Sequence, residues 1–245
     1  MQEYQDVVKN RFNADEDPDK SIYAENHPIG KYIRKNLYAA LDEFILWYSK
    51  DNKVAESKLL DAGCGFGGML GYLMSKGFVA SNTTGMDFSE TRIAGAKKAF
   101  PRATFLHADI TQFNLPGQKF SVITSFDLFS HLPEKNQLES GLKNLWNHLD
   151  DDGVFLWYDI YAKDHFAPPK GADSWGFSKQ QMIDLATASG FQFVYQKSFF
   201  KKFFNRYNSV YQVKRLSPGL VRFLERILPG SPGNSMIVFK KIKTA

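Results

Sequence analysis

The stretch that decides the fold reads Leu59-Leu60-Asp61-Ala62-Gly63-Cys64-Gly65-Phe66-Gly67. A short apolar run ends at the first glycine, and from Gly68 the apolar residues take helical spacing until Gly77. The sequence therefore predicts a strand, a glycine-rich loop and a helix in succession. Glycines in such a loop allow the backbone N–H groups to come close to a bound ligand.

Strands and helices are predicted to alternate around this loop. Apolar spacing from Pro28 predicts a helix upstream, and further strands are predicted downstream at residues 83–87, 104–107, 120–125, 154–158, 191–195 and 235–239. Intervening helices are predicted to begin with Ser89 as N-cap, with Pro133 in the first turn, at Lys179 and at Gly219. Strands separated by such helices indicate an α/β fold with a seven-stranded, mostly parallel sheet and helices on both faces.

The length and composition are those of one globular domain with appendages. The hydrophobic fraction of 43% and charged fraction of 23% favour neither a disordered nor a fibrous protein. We predict an N-terminal extension and helix at residues 1–50. The main domain is predicted at residues 51–245, with a C-terminal insertion at about residues 201–234.

Several classes of protein are disfavoured by the composition. No apolar run approaches the roughly 18 residues needed to span a bilayer, and the first residues lack the pattern of a signal peptide, so a cytoplasmic location is expected. Cys64 is the only cysteine, which excludes an intrachain disulfide and a thiolate-rich metal site.

The net charge of +5 is unevenly distributed, because Lys and Arg crowd the stretch from Lys197 to Arg226. Such a bias could serve an anionic acceptor, a membrane surface or nucleic acid, or solubility alone. The aromatic and basic segment at residues 199–207 fits either an edge hairpin with its rings in the core or a cover over the carboxyl edge of the sheet.

The glycines alone do not define the ligand, since Gly63, Gly65 and Gly68 also satisfy the spacing G-x-G-x-x-G of dinucleotide-binding loops. A carboxylate at Asp61 would repel a pyrophosphate held by the loop, but it suits a ligand whose nearby end carries an ammonium group. The alternative is a tight turn with Asp61 as its cap.

Two further carboxylates follow predicted strands. Asp87 ends the second strand about twenty residues past the loop, where it can accept hydrogen bonds from both ribose hydroxyls. A helix cap is the alternative for Asp87, but Ser89 can supply that cap and leave Asp87 for binding. Asp109 could accept from an exocyclic adenine amine while Ile110 packs on the ring.

With these residues the chain resembles the class I S-adenosylmethionine-dependent methyltransferases over roughly residues 55–200. Residues 59–67 resemble their glycine motif, residues 85–89 their ribose motif and residues 107–110 their adenine motif. The resemblance implies a Rossmann-like methyltransferase fold with S-adenosyl-L-methionine as cofactor. It also implies cofactor-binding residues, namely Asp61, Ala62, Gly63, Cys64, Gly65, Gly67, Asp87, Phe88, Asp109, Ile110 and Phe126.

The family places residues bordering the sulfonium and the acceptor after the fourth strand, where this chain has Phe126 to Leu132. His131 is therefore the candidate catalytic base, because imidazole titrates near working pH, although it could instead brace the next helix. Four residues after the fifth strand could line the acceptor pocket: Tyr158, Asp159, Tyr161 and His165. They form no metal-ligand arrangement.

The expected reaction is in-line methyl transfer to an oxygen or nitrogen nucleophile. Residues 211–228 are similar to tails of methyltransferases of polysaccharide and glycan biosynthesis, which implies O-methylation of a sugar, lipid-linked or natural-product acceptor. Peripheral membrane contact is possible, and no Asp-Pro-Pro-Tyr-like stretch supports nucleic acid as a partner. A small-molecule N-methyltransferase, a nicotinamide-binding oxidoreductase and a catalytically silent binding module stay open as alternatives.

Overall fold

The predicted strand, glycine loop and helix are all present in the computed structural model, which describes residues 28–132, 134–159, 176–198, 217–227 and 234–241. The first elements are α1 (Pro28–Tyr48), β1 (Leu59–Ala62), α2 (Gly68–Ser75), β2 (Thr83–Asp87), α3 (Glu90–Ala99), β3 (Thr104–His107) and β4 (Phe120–Phe126). They are followed by α4 (Lys135–His148), β5 (Leu149–Asp159), α5 (Lys179–Ala188), β6 (Phe191–Ser198), α6 (Pro218–Ile227) and β7 (Ser235–Lys241).

The seven strands form one sheet in the order β3-β2-β1-β4-β5-β7-β6. Strands β1 to β5 pair in parallel, whereas β7 runs antiparallel to both β5 and β6. The predicted seven-stranded, mostly parallel Rossmann-like sheet is thereby confirmed. In the register of β1, Asp61 stands between Gly85 of β2 and Thr124 of β4.

Helices cover both faces of the sheet, because successive side chains of a strand point to opposite faces. On one face, apolar side chains of the strands pack with α4 and α5, through residues such as Leu142 and Met182. On the other face they pack with α1, α2 and α3, through residues such as Leu41, Leu70 and Ile93. Both faces of the central strands are therefore buried, as expected for a mostly parallel sheet.

Helix α1 is part of this core. Its apolar positions Leu37, Leu41 and Phe44 are buried, as the helical spacing predicted. At its C-terminal end the Tyr48 hydroxyl hydrogen-bonds the Ser57 hydroxyl at 2.9 Å, just before β1 begins. This contact sets the C-terminal end of α1 at the amino edge of the sheet.

Two predicted element starts differ from the structure by two or more residues. The helix predicted to begin at Pro133 begins at Lys135, because residues Phe129–His131 first form a separate 3-10 turn, and Pro133 itself lies outside the described residues. Strand β5 begins at Leu149, five residues before the predicted start. Residues Asp150, Asp151 and Asp152 at this end of the strand are largely solvent-exposed, so they are polar and the apolar pattern did not include them.

Parts of several predictions lie outside the described residues: the extension at residues 1–27, Tyr161, His165, the segment at residues 199–207 and most of the insertion. The domain boundary at residue 50 and the limits of the insertion stay predictions. Within the described ranges, no helix combines the length and the apolar character that crossing a membrane requires.

Candidate cofactor and acceptor site

The site lies where the sheet changes its winding direction. From β1 the chain proceeds outward to β2 and β3 on one side, and then returns to β4 on the other side of β1. Crossovers on opposite sides leave a crevice at the carboxyl ends of β1 and β4, which is where open α/β sheets bind ligands. The glycine loop follows β1, while Phe126 ends β4 and Asp127 to His131 follow it, so both predicted regions meet at this crevice.

Three glycines of the loop have positive φ angles: Gly63 (77°), Gly65 (53°) and Gly67 (82°). A β-carbon at Gly63 would lie 3.0 Å from Leu128, and one at Gly67 would lie 3.0 Å from the Phe100 ring. A β-carbon at Gly65 would meet only an Arg92 guanidinium nitrogen at 3.8 Å. The backbone at Gly65 therefore borders open space, where a ligand can approach it closely.

The loop is tied to the end of β2. The N–H groups of Gly63 and Cys64 donate to the Met86 carbonyl at 2.7 and 2.9 Å, and the Gly65 N–H donates to Asp87 Oδ2 at 2.9 Å. These bonds hold the loop in one conformation before any ligand binds. Cys64 itself is buried, and burial raises the pKa of its thiol, so this side chain is no nucleophile.

Asp87 is more constrained than the sequence indicated. Ser89 does cap α3, accepting from the Arg92 N–H at 3.4 Å, and Asp87 is in addition bound to two backbone N–H groups. Its Oδ1 accepts from the Ser89 N–H at 2.9 Å while Oδ2 accepts from Gly65. A carboxylate has about four acceptor positions, so two are left for ribose hydroxyls. Burial raises the pKa of Asp87, and these N–H donors oppose that shift.

Asp61 is enclosed beneath the loop, with 1% of its surface exposed. Thr124 Oγ1 on β4 donates to its Oδ1 at 2.7 Å, and among the described residues this is the one hydrogen bond to the carboxylate. Since no loop N–H donates to Asp61, a role as turn cap is not supported. Burial raises the pKa of Asp61 to about 7; the Thr124 bond opposes the shift and the charge of Asp87 adds to it.

The adenine motif at residues 107–110 differs from the glycine and ribose motifs, because its carboxylate is exposed. Asp109 is exposed, and its Oδ1 accepts from the N–H and the hydroxyl of Thr111, both at 2.8 Å. The Ile110 side chain is buried in the core and packs toward Gly141, so little of its surface is exposed to a ligand. The roles of Asp109 and Ile110 in adenine binding stay predictions.

The side chains of the other cofactor candidates differ in what they can contact. Ala62 is fully buried, so it can take part only through its backbone. Phe88 is half-buried, and its carbonyl is contacted by His107 Nε2 at 2.8 Å, which joins the ends of β2 and β3. Phe126 is half-buried at the end of β4, with its ring centroid 6.0 Å from that of Tyr158.

The segment after β4 begins with an unusual turn. Asp127 is the only non-glycine residue of the described chain with positive φ (49°), and its N–H donates to the Tyr158 carbonyl at 2.9 Å. The turn leads into the 3-10 helix that ends at His131, whose N–H donates to the Leu128 carbonyl at 3.0 Å. The half-buried His131 therefore lies on the segment that packs against Gly63.

The prediction that Tyr158 and Asp159 line an acceptor pocket is wrong. Both are buried, because β5 lies inside the sheet between β4 and β7. The Tyr158 hydroxyl accepts from Asn234 Nδ2 at 2.7 Å, while Asp159 Oδ2 accepts from Ser130 N–H at 3.2 Å and Trp157 Nε1 at 3.1 Å. Asp159 thus holds the turn that carries His131, which is a positioning role.

Sequence reasoning missed three residues of this site. The sequence predicts Thr124 only as part of a strand, although a polar residue at the end of a buried strand indicates a buried hydrogen bond. Arg92 lies near the loop, with its guanidinium carbon 5.7 Å from the Phe66 ring centroid, and its charge opposes the rise that burial causes in the pKa of Asp87. For Asp127, nothing in the sequence indicated the positive φ angle.

The fold and the site together define the class: a Rossmann-like domain whose glycine loop and neighbouring carboxylates are arranged for a nucleoside-containing cofactor. The sequence at residues 59–153 matches the family model described as a methyltransferase domain. Over these residues the match confirms the predicted resemblance to the class I S-adenosylmethionine-dependent methyltransferases.

Two curated methyltransferases are similar over part of this chain. One is the dTDP-3-amino-3,4,6-trideoxy-alpha-D-glucopyranose N,N-dimethyltransferase of Streptomyces venezuelae, 32% identical over 49% of this chain and 47% of that protein. The other is the malonyl-[acyl-carrier protein] O-methyltransferase of Bacillus cereus, 36% identical over 43% of this chain and 38% of that protein. The chain thus spans about half or less of the length of these relatives.

A solved structure supports the fold over nearly the whole chain. The magnesium protoporphyrin IX methyltransferase of Synechocystis PCC 6803, crystallised with bound S-adenosylhomocysteine, matches with a TM-score of 0.67. The match covers 97% of this chain and 99% of that one at 16% identity. Identity at this level supports the shared fold and carries no argument about the acceptor.

Proposed function

We propose that this chain transfers the methyl group of S-adenosylmethionine to an oxygen or nitrogen nucleophile of a small-molecule or glycan-type acceptor. The observation that carries the proposal is the pair of buried carboxylates, Asp61 and Asp87, on either side of the glycine loop. A pyrophosphate at this position would face two negative charges, whereas an ammonium group and a ribose are favoured there.

The residues present fit the cofactor. Asp87 keeps acceptor positions for the ribose hydroxyls, Asp61 offers a carboxylate to the amino group, and the backbone at Gly65 borders open space. The bound cofactor supplies a methyl group already activated by the positive sulfonium. The chain is left to orient the acceptor, to exclude water and, for a hydroxyl acceptor, to remove a proton. His131 is the residue we assign to that proton.

For the acceptor, we favour O-methylation of a sugar, lipid-linked or natural-product molecule. The names of the two relatives specify a dTDP-linked amino sugar and a malonyl group on a carrier protein, which supports an acceptor of biosynthetic origin. Because one of them is an N-methyltransferase, N-methylation of a small molecule is the second candidate. An amine nucleophile that is neutral at working pH needs no catalytic base, so the His131 variant described below separates the two.

The proposed function predicts binding of S-adenosylhomocysteine and turnover of S-adenosylmethionine with the correct acceptor. Calorimetry should show S-adenosylhomocysteine binding and no comparable heat for NAD. A panel of sugar nucleotides, glycolipids and aromatic hydroxyl compounds, followed by mass spectrometry, should yield a product heavier by one methyl group. NAD binding in preference would mean an oxidoreductase. Nucleoside binding without turnover of any acceptor would favour a silent binding module.

Replacement of His131 by Gln tests its assignment as base. We expect turnover of a hydroxyl acceptor to fall by about a hundredfold or more, because general-base catalysis contributes that much, while affinity for S-adenosylhomocysteine stays near wild type. The matched change His107→Gln, which removes the contact with the Phe88 carbonyl, should instead alter cofactor affinity. A variant with lower thermal stability but normal turnover would show that His131 only braces the following helix.

A further inference from the structure

Helix α6 (Pro218–Ile227) exposes an apolar ridge. Leu220, Phe223 and Ile227 lie at helical spacing along one side, and they are 44%, 57% and 58% exposed. Isolated apolar side chains on a surface are ordinary, but three on one short helix form a continuous patch. A surface helix of a globular protein usually turns such a face toward the core.

The opposite, polar side of α6 faces the protein. Tyr32 of α1 is buried and its hydroxyl donates to the Glu225 carboxylate. Burial and this bond raise the pKa of Tyr32, while the charge of Arg222 lowers it, so Arg222 also lies near α1. Held by this contact, α6 cannot turn its apolar ridge inward without losing a partly buried hydrogen bond to a charged group.

The ridge is bordered by cations. Arg222 and Arg226 are both exposed, and they lie one helical turn apart beside Phe223. The surrounding sequence has one acidic residue, Glu225, and eight basic ones: Lys197, Lys201, Lys202, Arg206, Lys214, Arg215, Arg222 and Arg226. Elsewhere the chain has 23 Lys and Arg residues against 25 Asp and Glu residues, so residues 197–226 carry all of the net positive charge.

The packing of α1 places α6 on the same side of the molecule as the candidate site. The Tyr38 ring stacks on the Tyr72 ring of α2, with 3.9 Å between ring centroids, and Asp42 Oδ1 lies 2.8 Å from Lys76 Nζ. Both contacts join residues in the same order along the two helices, so α1 and α2 run side by side in the same direction. Because α2 starts at the glycine loop, the earlier turns of α1, which include Tyr32, lie toward the carboxyl edge of the sheet. Helix α6 is bound there.

We propose that α6 docks this chain onto an anionic membrane surface, with Leu220, Phe223 and Ile227 entering the interface and the neighbouring Arg222 and Arg226 contacting lipid headgroups. An apolar ridge bordered by Arg and Lys is the arrangement by which interfacial helices bind anionic lipids. A second copy of the chain is a poorer occupant, since it would bring two strongly basic segments together.

The test is cosedimentation of the full chain with vesicles of phosphatidylcholine, alone or mixed with phosphatidylglycerol. We expect binding to the anionic vesicles that weakens as salt is added, and little binding to phosphatidylcholine alone. Phe223→Ser should lower the partition coefficient by about tenfold. The double variant Arg222→Gln, Arg226→Gln should weaken binding and flatten its dependence on salt.

Leu46→Ser is the matched control, because Leu46 is 67% exposed on α1 and lies outside the ridge. It should leave vesicle binding unchanged. Each variant should bind S-adenosylhomocysteine like the wild type, which shows that it is folded and keeps this test separate from methyl transfer. Equal vesicle binding by Phe223→Ser and wild type would overturn the proposal. So would absence of vesicle binding together with a dimer that Phe223→Ser dissociates, since a second copy would then cover the ridge.

Discussion

Replacing Asp61 by Asn is expected to stabilise the ligand-free protein at pH 8 while weakening cofactor binding. The pKa of Asp61 is raised to about 7 by burial, whereas an unfolded chain has an Asp pKa of about 3.9. Ionised Asp61 therefore opposes folding, and the protein loses stability as pH rises from about 4 to about 7. Three pKa units correspond to roughly 4 kcal/mol, an upper limit that Asn should recover only in part.

Cofactor binding should show the opposite dependence on pH. An ammonium group beside Asp61 favours the ionised carboxylate, so wild-type affinity should rise between pH 6 and pH 8 with release of a proton. In the Asp61→Asn protein the affinity should be about tenfold to a hundredfold lower and nearly independent of pH. Calorimetry in buffers of different ionisation enthalpy measures the released proton.

Asp109→Asn is the control for Asp61, because it removes an exposed carboxylate from the same edge of the sheet. Its unfolding free energy should show no comparable gain at pH 8. Adenosine, which lacks the α-amino group of the amino-acid part, should bind wild type and Asp61→Asn equally. A wild-type affinity for S-adenosylhomocysteine that does not change with pH would remove Asp61 from contact with the amino group.

Replacing Asp87 by Ala is expected to weaken the binding of S-adenosylhomocysteine and adenosine alike by about a hundredfold. Hydrogen bonds from the ribose to a carboxylate account for about 1.5–3 kcal/mol, or tenfold to a hundredfold in affinity. The structure adds a second loss, since the Gly65 and Ser89 N–H groups also donate to Asp87. Without these bonds the glycine loop is less well ordered before the ligand binds.

The folded stability of Asp87→Ala should fall by about 1–3 kcal/mol, because buried N–H donors are left without acceptors. Chemical denaturation measures this loss, and Asp87→Asn, which keeps one acceptor oxygen, should recover part of it. Unchanged adenosine affinity in a folded Asp87→Ala protein would show that Asp87 serves only to hold the loop. The two substitutions thus differ in their response to adenosine, which distinguishes the ribose from the amino group.

The strands and helices that carry local signals were predictable from the sequence. Strand β2 has the predicted bounds, and α5 begins at the predicted Lys179, where Ser178 and Gln181 form a capping box. These features depend on periodicity and on contacts between residues close in sequence, so a single segment contains the information. The glycine loop was predictable for the same reason.

Residue positions at the site were predictable, but their hydrogen bonds were not. Asp61 meets Thr124 because β1 pairs with β4, and the two residues are 63 positions apart in the chain. Asp87 at the end of β2 accepts a hydrogen bond from the Gly65 N–H in the loop after β1. Asp159 at the end of β5 accepts one from the Ser130 N–H, just before His131. Each contact depends on strand order, which local patterns do not specify.

The sequence by itself determined the resemblance to the class I methyltransferases, through three motifs in order and the alternation of strands with helices. The tertiary structure alone decided that β7 lies reversed between β5 and β6, that Tyr158 and Asp159 are enclosed, and that α6 turns its apolar side outward. The physical reason is that burial is a property of the assembled layers. An apolar or acidic side chain acquires its surroundings only when distant elements, such as α1 for α6, pack against it.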